Sequence, residues 1–239
     1  MSEPMVRLDD KVALVTGAAV GQGAAEARLF VELGATVIAT DIDGAGVAAS
    51  AASIGAESYQ LDTSSAADWQ RVVDAVVADH GRVDVLVNNA GILRSGELAD
   101  WAEETLRLVL DVNLLGPMLG MQTVAAVMPR GGSIVNVSST AGVRGYPGAL
   151  PYSASKWGLR GASRSAALDL APQGIRVNCV CPGAVETPMV ADRSSDFSHL
   201  PIPRRGSADE IARMVAFLAS SASSYATGAD FVVDGGATA

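Results

Sequence analysis

The sequence predicts a doubly wound α/β fold, and three observations support that expectation. Short runs of Val, Ile, Leu and Ala recur along the chain, separated by Ala-rich, helix-forming stretches. These runs are apolar on both faces, as strands of a parallel sheet covered by helices on each side must be. The 239 residues, 49% of them apolar, suit one large α/β domain with a sizeable core better than two small ones.

In chain order, strands are expected at 11–15 (KVALV), 36–40 (TVIAT), 83–87 (VDVLV), 133–137 (SIVNV), 175–180 (IRVNCV) and 230–233 (DFVV), with a weaker one at 57–61 (ESYQL). Helices are expected at 22–33, 44–53, 65–79, 101–128, 152–171 and 207–219. Strands alternating with helices make a Rossmann-like sheet of about seven strands. No linker, charge block or low-complexity segment divides residues 1–239, so the chain is read as a single domain. Its cofactor half runs to about 130 and its catalytic and substrate half from about 131. The irregular stretch 184–206 holds Pro188, Pro201 and Pro203 and is long enough to suggest a purpose.

A formal net charge of -9 argues against nucleic acid and against docking on an anionic membrane. Solubility alone accounts for the acidic surface. The opening residues MSEPMVRLDD lack the apolar run of a signal peptide, and no later stretch reads as a membrane span, so a cytoplasmic protein is expected. Cys179 and Cys181 sit two apart in a strand, facing the same side, and read as buried free thiols of a reducing compartment. His80 and His199 have no ligand-spaced companions, so no metal site is expected.

The first strand runs into Thr16, Gly17, Ala18, Ala19, Val20, Gly21, Gln22 and Gly23 and then a helix. Glycines permit the tight turn and let the backbone approach a pyrophosphate, which the helix N-terminus attracts. The spacing is G-x-x-x-G-x-G rather than the commoner G-x-G-x-x-G. Asp41 ends the second strand, where a carboxylate can accept the ribose hydroxyls of adenosine and repel a 2′-phosphate. Asp43 is a rival for that role, or a cap for the next helix. Val20 stands where a basic residue could have paired with a 2′-phosphate, so NAD is expected over NADP. Asp62, after the third strand, is an adenine contact or an ordinary turn residue.

Tyr152 and Lys156 stand four apart at a helix start, on one face. A phenol with a pKa of about 10 is a poor base at neutral pH. A neighbouring ammonium favours the phenolate and moves the group toward the working range. Ser139 ends the fifth strand, where ligands of such sheets gather, and its hydroxyl could hold a substrate oxygen. Ser138 competes with it, since strand alternation lets only one face the cleft.

Thr16 to Gly23, Asn88 to Gly91, Asn113, Ser139, Tyr152 to Lys156 and Pro182-Gly183 together resemble the motif series of the short-chain dehydrogenase/reductase family, in its order and spacing and over essentially the whole chain. Among members, the chain resembles compact bacterial NAD-dependent alcohol and hydroxysteroid dehydrogenases. The resemblance implies hydride transfer between NAD and an alcohol or ketone. Tyr152 would be the general acid/base and Ser139 the substrate-orienting donor. Lys156 would bind the nicotinamide ribose and depress the tyrosine pKa. Asn113 would hold a water linking Lys156 to solvent, where the residues alone suggest a satisfied helical amide. The same resemblance puts Ile42, Thr63, Asn89, Ala90 and Gly91 against the cofactor. It has Pro182, Gly183, Val185 and Thr187 grip the carboxamide for B-face transfer. It also implies a homotetramer paired through helices near 101–128 and 152–171.

Two departures from the family pattern stand out. Gln22 replaces the usual Ile or Leu between the last two glycines, and the Glu186–Gly206 loop is short and polar. That loop is expected to form a lid, with Met189, Val190, Phe197, Leu200 and Ile202 covering the substrate. Tyr146, Leu150, Ile92 and Leu93 would supply other apolar walls. Arg94 and Arg144 are near in sequence but not placed in the pocket, which points to neutral cyclic, aromatic or steroid-like secondary alcohols and ketones. An NADPH-dependent 3-ketoacyl reductase and a non-catalytic dinucleotide sensor are the alternatives. Asp41 argues against the first, although Arg130 and Arg176 could face an acidic carrier. The intact Ser-Tyr-Lys set argues against the second.

Overall fold

The central strands, largely apolar on both faces, demand helices on each side of the sheet, and the computed structural model has them. It describes residues 6–190, 196–198 and 200–239, the side chain of Val190 excepted. The strands are β1 (Val12–Thr16), β2 (Thr36–Asp41), β3 (Glu57–Gln60), β4 (Val85–Asn88), β5 (Ser133–Val137), β6 (Arg176–Pro182) and β7 (Asp230–Val233). All seven are parallel, in the order β3-β2-β1-β4-β5-β6-β7. The helices are α1 (Gly21–Glu32), α2 (Gly44–Ile54), α3 (Ala66–His80), α4 (Glu103–Leu110), α5 (Gly116–Ala125), α6 (Leu150–Leu170) and α7 (Ala208–Ala219).

Alternation along each strand sorts the core into two layers. Ala13, Val15, Val37 and Val135 pack with Phe30, Val47, Ile211 and Val215 from α1, α2 and α7. Leu14, Ile38, Leu86 and Ile134 pack with Trp69, Val72, Met121 and Val124 from α3 and α5. Trp69 is fully buried, and its indole N–H donates to the Thr63 carbonyl at 2.9 Å, which fixes the corner after β3. Removing that ring would cost about 3–5 kcal/mol.

The expected helix over 101–128 is in fact two helices joined by a π turn, Asp111–Leu115, and it ends at Ala125. Pro117 supplies the reason. Its ring would clash with the carbonyl four residues back, at Asn113, in a regular α-helix. Widening the helix to a π turn relieves that clash and turns Asn113 into the core, fully buried. By length and composition the run Glu103–Ala125 could cross a membrane, contrary to the sequence reading. Here Val109, Met121 and Val124 are buried within the protein. Cys179 and Cys181 are buried and free, as expected, and burial pushes the Cys179 thiol up to about 12. No metal-ligand cluster occurs among the described residues; His199 lies outside them.

Candidate active site

The chain departs in opposite directions from β1 and β4, which opens a crevice at the carboxyl ends of the strands. A cavity of about 450 Å³ occupies it. Gly17, with φ +68°, could carry no Cβ, because that atom would lie 2.8 Å from the Ala90 Cα. At Gly23 a Cβ would lie 2.2 Å from the Gly17 carbonyl oxygen. The glycine turn therefore packs directly on the end of β4. Thr16 Oγ1 accepts from the Asn89 and Ala90 amides, both at 3.0 Å, and Asn89 Nδ2 donates to the Thr16 carbonyl at 2.9 Å. α1 opens without a side-chain cap, so its first N–H groups are left for an outside anion. This cradle fits a dinucleotide pyrophosphate.

Asp41 lines the cavity, accepting from the Ala19 amide at 3.1 Å and the Asp43 amide at 3.0 Å. Its rival Asp43 instead caps α2, accepting from the Gly46 amide at 3.0 Å. Val20 and Ile42, 60% and 64% exposed, give the rim apolar faces for a flat ring. Asp62 and Thr63 lie on the wall, although Asp62 is also tied into its own turn by Ser64 at 2.6 Å. Gly21, Gln22, Asn89, Ala90, Gly91 and Thr187 line the cavity, whereas Gly23 lies beneath the turn.

Tyr152 and Lys156 line the far end of the same cavity. Lys156 is 4% exposed; its Nζ donates to the Val137 carbonyl at 2.8 Å and lies 5.7 Å from the Tyr152 ring centre. Burial holds the Lys156 ammonium down at about 8, so it stays charged at neutral pH yet close to release. The two serines make different contacts. Ser138 lines the cavity, but its hydroxyl is spent on the Lys156 carbonyl at 3.0 Å. Ser139 lies off the cavity wall and accepts from the Ala141 amide at 3.1 Å, and its own proton has no acceptor among the described residues.

Asn113 lies behind the wall. Its Oδ1 accepts from the Ile92 amide at 2.8 Å, and Nδ2 donates to the Ile92 carbonyl at 2.9 Å and to Ser155 Oγ at 3.2 Å. Ser155 in turn donates to the Tyr152 carbonyl at 2.7 Å. Both amide protons are thus committed, and the side chain clamps the π turn to the Ile92 loop and to the helix bearing Tyr152.

The expected substrate wall is only partly assembled. Met189 lines the cavity, whereas Leu93 and Leu150 do not. Tyr146 also lies off it, because its hydroxyl is held by Arg144 and Thr140 at 3.0 and 3.1 Å. Pro182, Gly183 and Val185 do not line the cavity: a Cβ on Gly183 would meet the Asp234 Cα at 2.8 Å, and Val185 bridges to Gly206. That bridge closes the base of the loop after β6. Leu200 and Ile202 line a second cavity of about 130 Å³ rather than the main one. Phe197 packs under Arg205, 5.5 Å from its guanidinium. Residues 191–195 of the expected lid and the Val190 side chain lie outside the described residues.

Six wall residues have no site role in the sequence reading: Leu61, Arg94, Leu108, Val112, Val137 and Pro188. Leu108 and Val112 share a helix face at four-residue spacing just before Asn113, a pattern written in the sequence. Arg94 reaches the cavity wall, and among the described residues it donates to the Leu93 carbonyl, at 3.1 Å. Arg144, its companion in sequence, stacks on Tyr146 instead, 4.8 Å from the ring centre.

A cradle for a dinucleotide opening onto a tyrosine-lysine pair defines a nicotinamide-dependent oxidoreductase. A family model described as Enoyl-(Acyl carrier protein) reductase matches residues 17–238. The chain is 40% identical to the trans-4-hydroxycyclohexanecarboxylate dehydrogenase of Sinomonas cyclohexanicum, over 100% of this chain and 97% of that protein. It is 44% identical to a 3-alpha-(or 20-beta)-hydroxysteroid dehydrogenase of Mycobacterium tuberculosis, over 98% of this chain and 91% of that one. The blue fluorescent protein from a metagenomic library, solved in complex with NADPH, superposes with a TM-score of 0.93 at 35% identity, covering 98% of this chain and 100% of that one. The chain belongs to the short-chain dehydrogenase/reductase family, and it is an oxidoreductase of secondary alcohols and ketones.

Proposed function

We propose that the protein transfers a hydride between NAD and a cyclic secondary alcohol or ketone, with Tyr152 moving the proton. The observation that carries this reading is the single cavity shared by Asp41 at one end and the Tyr152–Lys156 pair at the other. The nicotinamide ring, when bound, supplies the hydride acceptor or donor. Everything else falls to the chain. Tyr152 takes the hydroxyl proton of the alcohol, or returns it to the ketone oxygen. The buried Lys156 ammonium stabilises the phenolate. Ser139 donates its free hydroxyl proton to the substrate oxygen. Asn113 and Ser155 fix the backbone that presents Tyr152. Positioned proton transfer of this kind contributes about 10²–10⁴-fold to the rate.

The Asp41 carboxylate favours NAD by accepting from the ribose hydroxyls and repelling a 2′-phosphate. The names of the Sinomonas and Mycobacterium relatives support a cyclic or steroid-like substrate. An uncharged alcohol remains the first expectation, and a carboxylated one is tested beside it because Arg94 lines the cavity. A homotetramer is the expected assembly, since Leu115, Met118, Trp157 and Leu168 leave apolar surface exposed on the α4–α5 run and α6. The buried free thiols suit a cytoplasmic setting. The test is an initial-rate screen with NAD and NADP against uncharged and carboxylated cyclohexanols, hydroxysteroids and a carrier-bound 3-ketoacyl chain. NAD-linked turnover of cyclic secondary alcohols is expected. Turnover confined to the carrier-bound substrate with NADPH would overturn the proposal.

A further inference from the structure

Two polar side chains on α1 have no partner among the described residues, and they stand one turn apart. Gln22 lines the cavity, and its Oε1 is buried without a hydrogen bond. Glu26 is 0% exposed, and neither of its carboxyl oxygens has a partner. A buried carboxylate left unpaired is among the most costly groups a core can hold, and the usual escape is to keep its proton. Residues four apart on a helix carry Cβ atoms about 5–6 Å apart, within reach of a Gln–acid hydrogen bond. A protonated acid has a hydrogen to give, and the Gln22 oxygen lacks one.

We propose that Glu26 is a neutral carboxylic acid that donates to Gln22 Oε1 and thereby fixes the Gln22 amide nitrogen as a hydrogen-bond donor to the bound dinucleotide. Gln22 is then a cofactor-binding residue in its own right, where the family resemblance leads one to expect an apolar side chain. Glu26 is its positioning residue. The proposal rests on reading the cavity as a dinucleotide site.

The surroundings of Glu26 leave its proton in place. Burial alone pushes its carboxyl up to about 8, with no charged neighbour contributing. On the elements packed against α1, the β1 and α2 segments VALVT and GAGVAASAASI carry no charge. Asp41 on β2 is occupied by two backbone amides. On α7, Asp209 pairs with Arg28, Glu210 pairs with Arg204, and Arg213 is exposed. Glu32 on α1 also pairs with Arg28. A buried donor–acceptor pair is sensitive to pH in one direction. Raising pH removes the Glu26 proton, frees Gln22 and weakens cofactor binding.

The test is the dissociation constant of NADH, followed by its fluorescence, for the wild type, Glu26→Gln and Gln22→Leu between pH 6.5 and about 9.5, on either side of the Glu26 transition. Glu26→Gln keeps a donor at every pH, so comparison with it cancels the titration of Lys156. Wild type and Glu26→Gln are expected to bind equally at pH 6.5. At the alkaline end the wild type is expected to bind about three- to tenfold more weakly, the worth of one hydrogen bond. Gln22→Leu is expected to bind more weakly than the wild type at pH 6.5 and to lose that part of the pH dependence. Parallel profiles for wild type and Glu26→Gln would overturn the proposal. If Glu26→Gln does not fold, the wild type and Gln22→Leu decide it, because identical pH profiles for those two would also overturn it. Failure of every form to bind NADH would instead refute the dinucleotide reading of the cavity.

Discussion

Glu26 should leave a signature in the stability of the protein without any cofactor. The unfolded carboxyl titrates near 4.5 and the folded one near 8, because burial penalises the charge. Between these values the folded state holds a proton that the unfolded state has released, so stability falls as pH rises and levels off above the folded pKa. The slope is about tenfold in the folding equilibrium constant per pH unit for one proton. From pH 6 to pH 8 that amounts to about 2–3 kcal/mol. Lys156 acts in a different window. Its folded pKa of about 8 lies below the ordinary 10.5, so its contribution changes only above about 8 and there raises stability with pH. Glu26→Gln removes the first slope and leaves the second. Urea unfolding of both proteins at pH 6, 7 and 8 should show the variant gaining on the wild type by roughly the same increment at each step. A constant gap across that range would refute the buried, protonated acid.

Three other outcomes are expected. Asp41→Ala should narrow the preference for NAD over NADP, which in the wild type is expected to be at least about tenfold in kcat/KM; equal use of both cofactors by the wild type would contradict the role given to Asp41. Asn113→Ala should cost about 2–4 kcal/mol in chemical denaturation, because it strands the Ile92 amide and carbonyl and the Ser155 hydroxyl; a loss within experimental error would show that the clamp is dispensable. Arg94→Ala should leave kcat/KM for uncharged cyclic alcohols within about twofold, as exposed charges contribute little; a fall of about tenfold or more would show that the guanidinium grips the substrate.

Six strands were legible because each is a short, mostly apolar run between turn residues, and the more polar run at 57–61 takes its place at the sheet edge as β3. The cofactor cradle was legible because glycine spacing and a strand-end aspartate are backbone requirements written directly into sequence. The break in the helix over 101–128 is hard to read from sequence because the apolar pattern continues across it, and Pro117 alone marks the turn that buries Asn113. The choice between Ser138 and Ser139 could not be made from alternation alone. The contact that separates them, the Ser138 hydroxyl donating to the Lys156 carbonyl, is a tertiary fact. The substrate wall was least legible: Tyr146 is diverted by Arg144 and Thr140, while Arg94 turns toward the cavity. Side chains on loops answer to neighbours distant in sequence, and periodicity carries no record of them. Glu26 fell inside a regular helix pattern, where a lone charge normally reads as a solvated face.

The central claim is that Tyr152 moves the proton in a cavity that binds the dinucleotide independently of it. Tyr152→Phe keeps the ring and removes the ionisable hydroxyl. Its NAD-linked oxidation of a cyclic secondary alcohol, followed by NADH absorbance, is expected to fall by about a hundredfold or more. Its NADH dissociation constant, measured on the same preparation by fluorescence, is expected to stay within about threefold of the wild type, less than one hydrogen bond's full worth. A variant that binds NADH normally and turns over at near the wild-type rate would contradict the account.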